Sequence, residues 1–124
     1  MNWQAFTLNA LRIVVGLLFV PHGAQKLFGL FGGQSVELVS RSGLAGSIEF
    51  FGGFLILVGF QTRWTAFLCS GQMAFAYWIA HAPDSLWPIL NRGELAFLYC
   101  FVFLFLWANG GGDFSIDGIL KKKT

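Results

Sequence analysis

The stretch LRIVVGLLFVPHGAQKLFG, residues 11 to 29, decides how this chain is read. It is apolar for long enough to cross a bilayer, yet it holds Arg12, His22 and Lys26 in its interior, with Pro21 and Gly23 on either side of the histidine. At about 100° per residue, Arg12, Gly16, Phe19, Gly23 and Lys26 fall on one helical stripe, within about 40° of one another. Small residues on that stripe let a neighbouring helix approach closely. Pro21 has no N–H to donate to the carbonyl of Leu17, so a bend is expected there, leaving an acceptor in need of a partner.

The composition around this stretch says what the solvent is. Of 124 residues, 56% are hydrophobic and 11% charged, with Phe 15 and Trp 5, and the mean hydropathy is +0.65. Soluble domains carry about a quarter charged residues, so this chain lacks the polar material to cover a water-facing surface. Its solvent is lipid. A nucleic-acid binder, a disordered chain and a disulfide-stapled secreted domain are excluded on the same grounds. The formal charge of +2 comes mostly from Lys121, Lys122 and Lys123. Cys69 and Cys100 stand far apart in apolar runs, with no metal-ligand or redox spacing, and read as small core residues.

Four apolar runs follow in order, roughly 7–31, 45–60, 64–82 and 92–109, with a short tail at 110–124. The expected fold is all-α, an integral membrane bundle of four transmembrane helices in one domain. The runs bracket the ~20 residues needed to cross a bilayer and lack the alternation of a lipid-facing strand. A signal peptide is disfavoured for the first run, since no positive side chain precedes Arg12. Arg63 and the lysine tail share one side; Glu37, Arg41, Asp84 and Arg92 share the other. The positive-inside tendency then puts both termini in the cytoplasm. Trp3, Trp64, Trp87 and Trp107 fall near predicted ends, where amphipathic rings prefer the interface.

Ionisable groups inside the apolar runs cost ~2.5–3.5 kcal/mol each at a helix centre, so each needs a reason. Alternating crossings bring His22, Lys26, Glu49, His81 and Glu94 to the outer part of the bundle, whichever way the whole is oriented. Arg12 is a second candidate on the cytoplasmic side. Bland readings stand beside each. Asn91 and Glu94 have capping-box spacing, Glu49 reads as a first-turn carboxylate, and Arg12 and Lys26 are able to snorkel. His81, beside Ala82 and Pro83, reads as interfacial. His22, about 13 Å from the end of its run, is the hardest to explain away. Lys26, one turn on, is expected to pair with Glu49 or Glu94.

The run from Leu11 to Gly29 resembles the signature of the DoxX family: an arginine, a glycine, then HGxxKLFG. EFFGGFLILVG (Glu49 to Gly59), NRGE (Asn91 to Glu94) and GGGDFSID (Gly110 to Asp117) are similar to the family in the same order, covering nearly the whole chain. Asp113 departs from it, standing where many relatives place a basic or neutral residue. The resemblance implies a small four-helix protein of the bacterial inner membrane. Characterised relatives include a membrane subunit of a thiosulfate:quinone oxidoreductase, and others are partners of soluble redox enzymes.

The resemblance implies a redox-associated membrane subunit, with a quinone or similar amphipathic ligand in the outer half of the bundle. The polar cluster would supply donors and a proton path, and phenylalanines the walls. Its partners would be the bilayer and another redox protein or a second copy. No metal site is expected, and catalysis by this chain alone is not. The competing readings are a non-enzymatic scaffold, whose polar network fixes helix register, and a small transporter, for which no inverted repeat is visible.

Overall fold

The computed structural model describes residues 2–35, 37 and 39–123, the side chain of Lys123 excepted. Among the described residues there are six α-helices: α1 (Trp3–Phe28), α2 (Arg41–Val58), α3 (Thr62–Ala76), α4 (Pro88–Asn91), α5 (Glu94–Asn109) and α6 (Ile116–Lys123). A π-helical turn, Tyr77–His81, prolongs α3 without a break. No strand occurs among the described residues. The fold is all-helical, as expected.

Local chemistry sets the ends, and it moves several of the expected boundaries. Asn2 caps α1, its side chain accepting from the N–H groups of Gln4 and Ala5. The helix stops at Gly29, which adopts a left-handed conformation with φ 70°, so residues 29–31 leave the span. Ser40 caps α2 four residues earlier than the apolar run begins, because the side-chain acceptor and not hydropathy fixes the start. Gly59, also left-handed, ends it. Pro83 cannot extend the third rod, and Pro88 occupies the first turn of α4, where a missing N–H costs nothing. The short tail expected at 110–124 holds α6.

Pro21 lies inside α1 and does not interrupt it. Gly23 beside it is where α2 comes closest. A Cβ there would lie 2.3 Å from the Phe50 backbone nitrogen and 2.7 Å from the Gly46 carbonyl oxygen. One heptad earlier, a Cβ on Gly16 would lie 2.8 Å from the Gly53 carbonyl oxygen. Gly16 therefore meets Gly53 and Gly23 meets Gly46, so α1 and α2 run antiparallel with backbones in contact. On the far side α3 and α5 are antiparallel too, tied by the Ser70 hydroxyl donating to the Cys100 carbonyl at 2.7 Å. The two pairs meet over a core of Val15, Phe19, Ile56, Ala66, Cys69, Met73, Tyr99, Phe103 and Leu106.

Outside this core the surface is apolar. Leu17, Leu18, Phe51, Phe67, Leu68, Phe75, Leu98 and Phe101 are all exposed, and Arg12 and Glu49 are buried. That inversion suits lipid and not water. Among the described residues two helices, α1 with 26 residues and α2 with 18, are long and apolar enough to cross a membrane. At about 1.5 Å per residue, the 16 residues of α5 reach about 24 Å, short of the ~30 Å hydrocarbon core.

Candidate functional site

Lys26 and Glu49 form an ion pair across the α1–α2 contact. The Lys26 Nζ donates to Glu49 Oε1 at 2.8 Å and to Oε2 at 2.6 Å. Glycine makes this reachable: a Cβ on Gly46 would come within 2.8 Å of the Lys26 Cβ, so the lysine stem lies over the bare backbone one turn before Glu49. Glu49 is 3% exposed and Lys26 35%. The glutamate side of the pair is buried and the lysine side is partly open. Because α2 starts at Arg41, Glu49 lies two turns inside the helix and is not a first-turn carboxylate.

His22, half-buried on the same face, sets its ring edge-to-face against Tyr99 of α5 at 6.2 Å. The Tyr99 hydroxyl is buried without a hydrogen-bond partner among the described residues. Sequence reasoning passed over this residue; the signal for it is a single tyrosine in a helix of Phe and Leu.

The remaining members of the expected cluster are elsewhere. The His81 Nδ1 lies 3.0 Å from the Asn91 carbonyl oxygen, closing the end of the π-helical turn. Asn91 is buried and fully used, donating to the Tyr77 hydroxyl at 3.0 Å and the Ser85 carbonyl at 2.7 Å while accepting from the Gly93 N–H at 2.7 Å. It therefore does not cap α5, whose N-cap is Gly93, and no capping box forms. Glu94 is exposed at the first position of α5. It edges a groove of about 500 Å³ walled by Pro88, Leu95, Phe97 and Leu98. Of the five expected residues, Lys26 and Glu49 bond to each other and His22 packs on Tyr99, while His81 and Glu94 make no hydrogen bond or ion pair with them among the described residues.

Arg12 does not snorkel. It is 1% exposed, and its guanidinium donates to main-chain carbonyls: Gly111 at 2.7 Å, Ile56 at 3.0 Å, and Leu57 and Phe114. Ile56 and Leu57 belong to the last turn of α2, whose carbonyls lack the usual i+4 partner and carry the negative end of the helix dipole; the Ile56 carbonyl also accepts the Gly59 N–H at 3.1 Å. Arg12 therefore seals α2 and anchors the tail with the same fork. Gly59 makes room, since a Cβ there would sit 2.3 Å from the Ser115 Cβ and 3.1 Å from an Arg12 nitrogen. Asn9 completes the anchor, donating to Asp113 at 2.8 Å and accepting from the Phe114 N–H at 3.2 Å. That bond holds the Asp113 carboxyl below the usual carboxylate range, with Lys122 a lesser contributor. The departure at Asp113 thus finds a partner inside the chain.

No cluster of three or more His, Cys, Asp or Glu side chains with metal-binding geometry exists among the described residues. Neither cysteine is in a disulfide.

Comparison with known proteins agrees with this architecture. The DoxX family model matches residues 7–82. An uncharacterized protein of Haemophilus influenzae is 35% identical, the match covering 98% of this chain and 96% of the relative. The inner membrane protein YqjF of Escherichia coli is 30% identical, with 90% of each chain covered. No solved structure matches. A family match over more than half the chain, with relatives aligned along nearly all of it, means that the chain belongs to the DoxX family of membrane proteins.

Proposed function

We propose that the chain is a four-crossing subunit of the inner membrane that takes a quinone-type or other small carbonyl-bearing amphipathic ligand from the bilayer at the open flank of the Lys26–Glu49 pair. The observation that carries this reading is the asymmetry of the pair: the Glu49 side chain is buried, whereas the Lys26 side chain is a third exposed. An ammonium has three N–H groups, and two suffice for the two Glu49 oxygens. The third is available to a ligand carbonyl. Such a ligand supplies the redox chemistry, accepting electrons and protons together. Lys26 orients its carbonyl and holds a proton at Nζ, Glu49 keeps that proton from being lost to an apolar surrounding, and His22 one turn away is a second proton carrier. Phe19 and Phe103, packed at 4.9 Å behind His22 and Tyr99, supply apolar backing. The electrons would come from a redox partner docked at the end of the bundle that carries Lys26, since from the Arg12 end the path along α1 is about 21 Å.

Binding of a quinone analogue to the purified chain, followed by quenching of tryptophan fluorescence, tests this. Binding is expected to saturate for the native chain and to be lost in Lys26→Met. Equal binding by both would overturn the reading, as would unchanged membrane-coupled electron transfer in His22→Ala.

A second reading, a non-enzymatic scaffold, is favoured by the glycine contacts that seat the pair. In that case Lys26 and Glu49 variants lower folded yield and leave activity per folded molecule intact.

A further inference from the structure

At the end of the bundle carrying both termini lies a groove of about 510 Å³ between the start of α3, the chain leaving α5, and α6. Three cations border it from two directions: Arg63 from the first turn of α3, and Lys121 and Lys122 from α6. Arg63 is held in place by one nitrogen only. Its Nη1 donates to the carbonyls of Trp107 at 3.0 Å and Ala108 at 2.6 Å, in the last turn of α5. The Nε–Nη2 edge, which is the edge that forms parallel bonds to a phosphate, has no hydrogen-bond partner among the described residues. Gly110 keeps that edge clear: a Cβ there would stand 3.3 Å from both Nε and Nη2.

The acidic side chains on the same groove are already engaged. Asp117 accepts three bonds from Gln61 and Thr62, and Asp113 accepts from Asn9. Those bonds come from neutral groups and leave the carboxylate charges in place, so Arg63, Lys121 and Lys122 against Asp113 and Asp117 give the groove a small net positive charge. Trp64, next to Arg63, is 77% exposed, and Phe114, Ile116, Ile119 and Leu120 expose an apolar face along the tail. Lysines on an apolar-faced helix, beside a tryptophan at the mouth of a membrane bundle, suit the level of lipid headgroups. We propose that this groove binds the phosphate of an anionic phospholipid, with Arg63 forming the bidentate contact and Lys121 and Lys122 closing over it from α6.

The full chain in detergent, titrated with phosphatidylglycerol, phosphatidylcholine or inorganic phosphate, tests this by thermal melting and by native mass spectrometry. Phosphatidylglycerol is expected to bind saturably and raise the melting temperature, phosphatidylcholine to do neither, and millimolar phosphate not to compete. Removing both lysines, Lys121→Gln with Lys122→Gln, is expected to weaken phosphatidylglycerol binding about thirtyfold. Arg63→Lys keeps the charge and is expected to weaken it as well, because the two-pronged edge is lost. Should Arg63→Lys fail to fold, the lysine pair decides the matter. Equal binding of the two lipids, or unchanged affinity in the lysine variant, would overturn the proposal. Competition by inorganic phosphate would make the groove a site for a soluble anion and overturn the lipid assignment.

Discussion

Asp117 caps a helix that begins 55 residues before it: its carboxylate accepts the Thr62 N–H at 2.8 Å and the Thr62 hydroxyl at 2.7 Å. The N-cap position of α3, Gln61, is in a left-handed conformation and offers no side-chain acceptor of its own. The tail supplies the missing cap, and the Asp117 N–H returns a bond to the Gly59 carbonyl at 2.8 Å. Asp117→Ala should therefore cost about 1–2 kcal/mol, as loss of a cap does. It should also open the 110–118 segment to protease. Thermal melting and limited proteolysis in detergent read the two effects, and an unchanged digestion pattern would mean that the tail is held without this contact.

The ion pair makes an asymmetric prediction. Lys26→Met leaves Glu49 buried without a partner and should destabilise by about 3–5 kcal/mol. Combining it with Glu49→Leu should recover much of that loss, since two apolar side chains need no pairing. The double-mutant cycle, measured as folded fraction against denaturant, should show a coupling energy well above the ~0.5 kcal/mol scatter of independent sites.

Glycines separate into two kinds. Gly23→Ala forces a Cβ against backbone atoms of α2, and backbone cannot step aside as a flexible side chain can. A loss of roughly 1–3 kcal/mol is expected. Gly71, exposed in α3 with nothing within 4 Å of its missing Cβ, should behave oppositely. Gly71→Ala should stabilise by about 0.5–1 kcal/mol through helix propensity. Melting temperatures of the two variants should move in opposite directions.

Asp113 gives a pH dependence. Its carboxyl is held below its ordinary value, chiefly by the Asn9 bond, so its contribution is complete above the unfolded value of about 3.9. It declines as the pH falls through the lower folded value. Asp113→Asn should remove this component of acid sensitivity, visible as a flatter melting temperature below about pH 4. A curve that superimposes on that of the native chain would show the bond to carry no linkage.

Much of this was legible in the sequence because it follows from neighbours along the chain. Apolar runs mark the four main helices, and the heptad spacing of Gly16 and Gly23 marks the stripe that meets α2. The need of Lys26 for a carboxylate follows from the cost of an unpaired charge in lipid. What escaped depends on distant segments meeting. Asn91 has the right spacing to cap α5, yet Tyr77 and Ser85 claim its amide, and Gly93 becomes the cap instead. Arg12 resembles a snorkelling residue until the end of α2 and the tail close around it. Asp117 has no local reason to face Thr62. Tyr99 gives no periodic sign that its hydroxyl points into the core. His81 and Glu94 make no hydrogen bond or ion pair with Lys26 or Glu49 among the described residues, because His81 is held by Asn91 and Glu94 is exposed at the start of α5.

Every strong bond that Arg12 makes outside its own helix goes to a carbonyl of the main chain, and this has a consequence for how the protein tolerates change. The guanidinium reads the path of the backbone and is indifferent to which side chains decorate it. Substitutions at Ile56, Leu57 or Phe114 that keep the chain on course leave this anchor intact, whereas one residue inserted between Gly110 and Ser115 displaces its acceptors. The end of the bundle that carries both termini is thus permissive in composition and strict in length.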